Sequence, residues 1–94
     1  MASIIIAEVL CDDAIADKIR DKHPPLTFPA VRQALIYARD VQAGWEEDQE
    51  HGRRVAARGM TYAGTLFVAY LSPLNENDPE EGTFKLRTAI PKPD

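Results

Sequence analysis

The segment Thr65–Ser72 constrains the fold more than any other part of the chain, because apolar residues occupy both of its faces. Successive side chains of an extended strand point to opposite sides. The two sets are Leu66, Val68 and Tyr70 on one side and Phe67, Ala69 and Leu71 on the other. A strand with two apolar faces is typical of the middle of a sheet. The segment therefore predicts a central strand, for which the rest of the chain supplies neighbours.

Two short helices are predicted between the first strand and the rest of the sheet. The first strand is Ser3–Leu10, where isoleucine and valine are concentrated. Asp12 or Asp13 caps a helix that continues to Lys22 and ends before two prolines, since the residue before a proline avoids the helical region. Thr27 caps the second helix. The apolar stripe of that helix consists of Val31, Ala34, Leu35 and Ala38.

The second half of the chain predicts the remaining strands. An acidic linker follows Gly44, and Met60–Gly64 has the composition of a hairpin turn between an arginine-rich strand and the apolar strand. A loop rich in acidic residues precedes the last strand, Thr83–Ile90. The prediction is one α+β domain, residues 1–94, in which two helices pack on a small antiparallel sheet in the order β-α-α-β-β-β.

Size and composition limit the classes of protein to which the chain can belong. Its 94 residues suffice for one small domain. The longest apolar run is far shorter than the ~20 residues that cross a bilayer, and Ser3–Leu10 lacks the features of a signal peptide. We therefore expect a cytoplasmic protein without membrane contacts.

Cysteine and histidine are too rare to suggest metal chemistry. Cys11 is the single cysteine, and the chain has two histidines. A single cysteine forms no internal disulfide, which fits a reducing compartment. Asp12 and Asp13 beside it should raise the pKa of its thiol and so oppose a nucleophilic role. These residues provide no metal-ligand spacing, so we expect no metal and no cofactor.

Charge is unevenly distributed along this chain, whose formal net charge is −4. His51–Leu74 contains three arginines and no acidic residue, and Thr83–Ile90 is also free of carboxylates. The acidic residues are concentrated in Asp40–Glu50 and Asn75–Glu81. This separation is consistent with a local anion site. It is equally consistent with surface ion pairs between the two sets, which contribute about 0–1 kcal/mol each.

The alternation of side chains assigns the cations to faces. Arg54 and Arg58 share one face of their strand, opposite Val55 and Ala57, whereas Arg53 points to the other side. On the last strand, Lys85 and Arg87 share a face opposite to a second set of side chains. That second set is Phe84, Leu86 and Thr88. A sheet with one apolar face and one arginine-lined face predicts a surface for a phosphate backbone.

Three segments, KIRDKHPPLTFPAVRQAL, RRVAARGMTYAGTLFVAYLSP and GTFKLRTA, cover most of residues 15–89. In their order and spacing they resemble the BrnT-type ribonuclease toxins of bacterial toxin–antitoxin systems, which are small relatives of the RelE fold. The first segment is similar to the family's helix, Lys-His, turn and second helix. The second is similar to its arginine-rich hairpin, and the third to its last strand. The resemblance implies a RelE/BrnT-like fold with helices on one side of the sheet.

The resemblance also implies a metal-independent RNA-cleaving toxin that a cognate antitoxin neutralises. Such cleavage needs cations for the charge on the phosphorane and groups that transfer protons. The candidates for catalysis are Arg54, Arg58, Arg87, His51, Lys22 and His23. The candidates for substrate binding are Lys85, Arg53 and Tyr62. The expected partners are RNA and the antitoxin, in a toxin–antitoxin hetero-oligomer, with a homodimer as a further possibility.

Several alternatives remain open from the sequence. Ile90 stands where the family has the arginine of its last strand, and the chain is acidic. Both points favour a non-catalytic protein-binding module that retains the RelE/BrnT-like fold. His23 also suits a role in ending the first helix, where a cation interacts with the helix dipole. Trp45 suits either stacking on a base or closing the core, and we expect that it closes the core.

Overall fold

The computed structural model describes residues 4–38, 40–50, 52–75 and 81–92. Its strands are β1 (Glu8–Leu10), β2 (Gln42–Asp48), β3 (Gly52–Met60), β4 (Leu66–Pro73) and β5 (Thr83–Pro91). Its helices are α1 (Asp13–Lys22) and α2 (Phe28–Tyr37), both between β1 and β2. The strands form one sheet in the order β1-β5-β4-β3-β2. The predicted α+β class with two helices is therefore confirmed, and β4 lies in the middle of the sheet as expected.

The predicted element order and strand directions are wrong in two respects. Within the described residues the order is β-α-α-β-β-β-β, because the expected acidic linker after Gly44 belongs to strand β2. This strand pairs with β3 along its length, from Gln42–Arg58 to Asp48–Gly52. Its charged side chains are compatible with a strand because β2 is at the edge of the sheet, where charge is tolerated. The sheet is mixed rather than antiparallel, since β1 runs parallel to β5.

Helix α1 begins and ends, and helix α2 begins, where the sequence predicts. Helix α2 ends at Tyr37, so Ala38, which was predicted to belong to its apolar stripe, is instead the C-cap residue and is only half-buried. Asp12 is the N-cap of α1, and His23 is its C-cap. The hydroxyl of Thr27 accepts a hydrogen bond from the N–H of Ala30 at 3.3 Å, and Pro29 lies in the first turn of α2. The predicted first strand is shorter than expected, since β1 contains only Glu8–Leu10 of the segment Ser3–Leu10. The first residue of the predicted segment, Ser3, lies outside the described residues.

The hydrophobic core lies between the helices and one face of the sheet. The sheet contributes the buried side chains Val9, Val55, Ala57, Phe67, Ala69, Leu71, Phe84, Leu86 and Ala89. The helices and the connection between them contribute Ile19, Leu26, Val31, Ala34 and Leu35. Trp45 of β2 is half-buried against this core, and its ring centroid lies 6.4 Å from that of Phe84. Trp45 therefore closes the core, as expected, although it does so from a strand.

The other face of the sheet, which the helices do not cover, is called the open face below. Arg54 and Arg58 of β3 lie on it, as predicted, because Val55 and Ala57 of the same strand are buried. A β-bulge in β5 changes the prediction for the last strand. Tyr70 pairs with Thr88 while Leu71 pairs with Leu86, which leaves Arg87 as the extra residue. Thr88 consequently lies on the same face as Lys85, and the prediction that it lay opposite was wrong.

A bidentate ion pair connects β1 to α2. The Nε and Nη2 atoms of Arg32 donate to the two carboxylate oxygens of Glu8 at 2.8 and 3.1 Å. The backbone N–H of Val9 donates to the same carboxylate at 2.9 Å. These two groups, the Val9 N–H first and Arg32 second, hold the pKa of Glu8 below its ordinary value. The charged form of Glu8 is therefore the form that the fold stabilises.

Replacing Glu8 by glutamine is expected to destabilise the protein at neutral pH and to have little effect in acid. A carboxyl whose pKa is lowered by folding adds stability above its unfolded pKa of about 4.3. That contribution disappears as the pH falls through the lower, folded-state pKa. Urea unfolding of the native chain and the Glu8→Gln variant, at about pH 7 and about pH 3, measures the effect. An equal difference in unfolding free energy at both pH values would contradict the assignment.

Candidate anion-binding groove

A groove of about 360 Å³ lies at the point where the open face meets the beginning of α1. It exists because β1 ends at Leu10, opposite Lys85, so β5 has no pairing with β1 from Leu86 onward. The chain leaves the sheet at this point and enters α1. The polar residues that line this cationic groove are Asp12, Arg54, Ser72, Lys85, Arg87 and Thr88.

The strand register brings the cations together. Ser72 of β4 pairs with Lys85 of β5, and Arg54 of β3 comes one position before Val55, which pairs with Leu71. Arg54, Ser72 and Lys85 therefore form a row across three neighbouring strands, whose spacing is about 4.8 Å. The bulge adds Arg87 to the same groove. Arg54 therefore shares one site with Lys85 and Arg87, which are 31 and 33 positions later in the chain.

Glu46 and Tyr70 are among the neighbours that hold Arg54 in place. Its Nε donates to the Glu46 carboxylate on the adjacent strand β2 at 2.6 Å. Its guanidinium carbon lies 4.0 Å from the centroid of the Tyr70 ring, in a cation–π contact. The side chain of Arg54 is 26% exposed, so it is partly desolvated and still accessible to a ligand. Two constraints on one planar group give Arg54 a defined orientation at the groove.

Lys85 contacts the beginning of α1. Its Nζ lies 2.9 Å from a carboxylate oxygen of Asp12. Although Asp12 is the N-cap residue of α1, its side chain makes no capping hydrogen bond. The Asp12 carboxylate therefore reaches into the groove instead of binding the first turn of its helix. The alternative interpretation, ion pairs between the basic strands and the acidic segments, therefore holds for Arg54, whose partner Glu46 lies in Asp40–Glu50. Lys85 is also in an ion pair, but its partner Asp12 lies outside both acidic segments.

Other predicted site residues lie away from this groove. Arg58 is exposed on the open face, four residues along β3 from Arg54, which is about 13 Å in an extended strand. It lines a separate groove of about 410 Å³. Arg53 points to the opposite face, as predicted, and its guanidinium carbon lies 4.0 Å from the centroid of the Trp45 ring. Tyr62 is exposed in the turn after β3, far from Arg54.

The predicted proton-transfer residues are Lys22, His23 and His51, and none of them is among the described residues that line the groove. Lys22 and His23 are at the C-terminal end of α1, whereas the groove contacts Asp12 at its beginning. The ten residues of this helix span about 15 Å. His51 lies outside the described residues. The structure therefore joins Arg54, Lys85 and Arg87 and separates them from Lys22 and His23.

Sequence reasoning missed several residues of the groove. Ser72 and Thr88 add hydroxyl groups, Tyr70 supports Arg54, and Glu46 and Asp12 supply carboxylates. The pairing of Glu46 with Arg54 could have been found from the alternation in Gln42–Asp48, had that segment been recognised as a strand. The contact of Asp12 with Lys85 has no local signal, since it depends on where α1 begins relative to β5.

The chemistry of the groove suits an anion. Arginine binds phosphate oxygens with its planar fork, and lysine and hydroxyl groups add further donors. Burial and then the charge of Asp12 raise the pKa of the Cys11 thiol, which opposes a nucleophilic role for this residue. No group of His, Cys, Asp and Glu within the described residues has the arrangement of a metal site. No described helix is long and apolar enough to cross a membrane.

A third and larger groove, of about 540 Å³, lies between residues 4–6, the end of α2 and the beginning of β2. Its lining includes Ile4, Ile5, Ile6 and Ile36, and none of the lining residues in the described part of the chain is charged. The cationic groove is therefore the better candidate for a site that binds a charged ligand.

Comparisons of the chain with protein-family models, with curated proteins and with solved structures found no match.

Proposed function

We propose that this chain is a metal-independent RNA-cleaving toxin with a RelE/BrnT-like fold, which a cognate antitoxin neutralises. The observation that supports the proposal best is the convergence of Arg54, Lys85 and Arg87 in one groove with two hydroxyl groups. These residues lie on the part of the sheet that the helices leave uncovered. Two helices on one side of a sheet also agree with the fold that the sequence resemblance implies.

In this proposal the groove binds the phosphate at the cleavage site. The 2′-hydroxyl of one nucleotide attacks the adjacent phosphorus, and the bond to the 5′-oxygen of the next nucleotide breaks. Arg54 and Arg87 stabilise the additional negative charge of the phosphorane, and Lys85 binds a neighbouring phosphate. His51 precedes Arg54 by three residues in sequence, and we assign both proton transfers to it: it accepts the proton of the 2′-hydroxyl and then donates it to the departing 5′-oxygen. Lys22 and His23, at the far end of α1, would instead contact RNA beyond the cleavage site.

Growth of bacteria after induction of this chain alone tests the proposal. The native chain is expected to arrest growth and to cause breakdown of cellular RNA, and an Arg54→Ala/Arg87→Ala variant is expected to do neither. A Lys18→Ala/Arg20→Ala variant removes the same charge from the exposed side of α1 and should behave like the native chain. All three proteins are checked for folding by circular dichroism. Normal growth with folded native protein would reject the toxin activity in that host.

A second candidate function is a non-catalytic protein-binding module. It is favoured by the apolar side chains at the other end of the open face. Met60, Leu66 and Ile90 are 41%, 37% and 41% exposed, and Met60 pairs with Leu66 across β3 and β4. Adjacent exposed apolar residues are typical of a protein contact. This candidate predicts normal growth and intact RNA, and binding of a protein that a Met60→Lys/Ile90→Lys variant no longer binds.

A further inference from the structure

Two carboxylates compete with any anion for the cations of the cationic groove. Glu46 accepts the Nε–H of Arg54 at 2.6 Å, and Asp12 lies 2.9 Å from the Nζ of Lys85. They come from different elements, the edge strand β2 and the N-cap of α1, and approach the groove from the directions of opposite edges of the sheet. The two carboxylates occupy some of the N–H donors of Arg54 and Lys85 and neutralise part of their positive charge. A phosphate therefore reaches all of these donors, and avoids repulsion from the carboxylates, only if it displaces both.

The structure provides each displaced group with a favourable alternative. Asp12 is an N-cap whose side chain makes no capping bond while it contacts Lys85. Once released from Lys85, its carboxylate can accept an N–H of the first turn of α1, as N-cap aspartates commonly do. Arg54 keeps its contact with the Tyr70 ring at 4.0 Å when Glu46 leaves. Glu46 is 39% exposed and moves into solvent, so displacement requires no rearrangement of the core.

We propose that Glu46 and Asp12 are specificity-determining residues that exclude single anions and yield to ligands with several linked phosphates. Inorganic phosphate binds through one group only, while it has to displace two carboxylates whose charge has the same sign as its own. A single-stranded oligonucleotide carries linked phosphates, so that binding at one cation raises the effective concentration of phosphate at the next. The groove thereby selects polynucleotides over inorganic phosphate. This inference rests on the proposed function in one respect, that the linked-phosphate ligand is RNA.

A pair of isosteric variants tests the inference. Glu46→Gln/Asp12→Asn removes both competing charges, while glutamine preserves the shape of Glu46 and asparagine remains a good N-cap residue. The matched control is Glu47→Gln/Asp13→Asn, which changes the net charge equally at the neighbouring positions of β2 and α1. Each protein is titrated with inorganic phosphate and with a 2′-O-methyl oligoribonucleotide, which cannot be cleaved at the 2′-hydroxyl. Amide chemical shifts of the groove residues report binding.

The groove variant is expected to bind inorganic phosphate about tenfold more tightly than the native chain and the control. Its affinity for the oligonucleotide should rise by at least the same factor, because linked phosphates displace the same two carboxylates. Unchanged phosphate affinity, or an equal gain in the control, would overturn the inference while oligonucleotide binding by the native chain still supported the RNA function. Gain of phosphate binding in proteins that bind no oligonucleotide would support competition by the carboxylates and overturn the RNA function of the groove.

Discussion

Replacing Phe84 by alanine is expected to lower the free energy of unfolding by about 3–5 kcal/mol. The Phe84 side chain is fully buried in β5 and lies beside Trp45, so its removal leaves a cavity that neighbouring strands cannot fill by small movements. Small domains have a total stability of about 5–15 kcal/mol, which makes this loss a large part of the whole. Urea unfolding, followed by the fluorescence of the single tryptophan Trp45, measures it.

Ile90 provides the matched control for Phe84. It lies on the same strand but on the open face, and it is 41% exposed. An Ile90→Ala variant should therefore lose only about 0.5 kcal/mol, as surface substitutions usually do. Equal losses for the two variants would mean that the open face is covered by a partner in solution, which would contradict its assignment as the accessible face.

Replacing Arg54 and Arg87 together by alanine is expected to weaken binding of a single-stranded oligonucleotide about a hundredfold. Charge-assisted hydrogen bonds to phosphate are the strongest polar contacts that the groove can make. Each lost phosphate contact should also reduce the slope of log affinity against log salt by about 0.7, since fewer counterions are released. Binding of a fluorescently labelled oligonucleotide at several salt concentrations measures both quantities.

The control for this prediction is again Lys18→Ala/Arg20→Ala. These residues are exposed on α1, where Arg20 pairs with Asp17 and Asp21. If binding reflected only the overall charge of the chain, both double variants would lose affinity and salt dependence equally. A loss confined to the Arg54/Arg87 variant assigns the phosphate contacts to the cationic groove.

Local patterns in the sequence predicted much of the fold. Thr27 and the Asp12–Asp13 pair marked the beginnings of both helices, because capping depends on residues within one turn. Alternation along β3 and β4 assigned Arg54 to the open face and Val55 to the core, because side chains in a strand alternate with a fixed period. The same reasoning failed in β5, where the bulge at Arg87 shifts the alternation for Thr88. A bulge depends on the neighbouring strand and has no reliable signature in its own sequence.

The sequence by itself determined the beginnings of both helices, the end of α1, the central position of β4 and the cationic character of the open face. These properties follow from covalent geometry and side-chain chemistry, which act over a few residues. Only the tertiary structure decided that Glu46 and Asp12 contact Arg54 and Lys85, and that the groove lies at the beginning of α1 rather than at the end that carries Lys22 and His23. Such contacts join residues that are distant in the chain. They depend on strand order and register, which the packing of the whole sheet fixes.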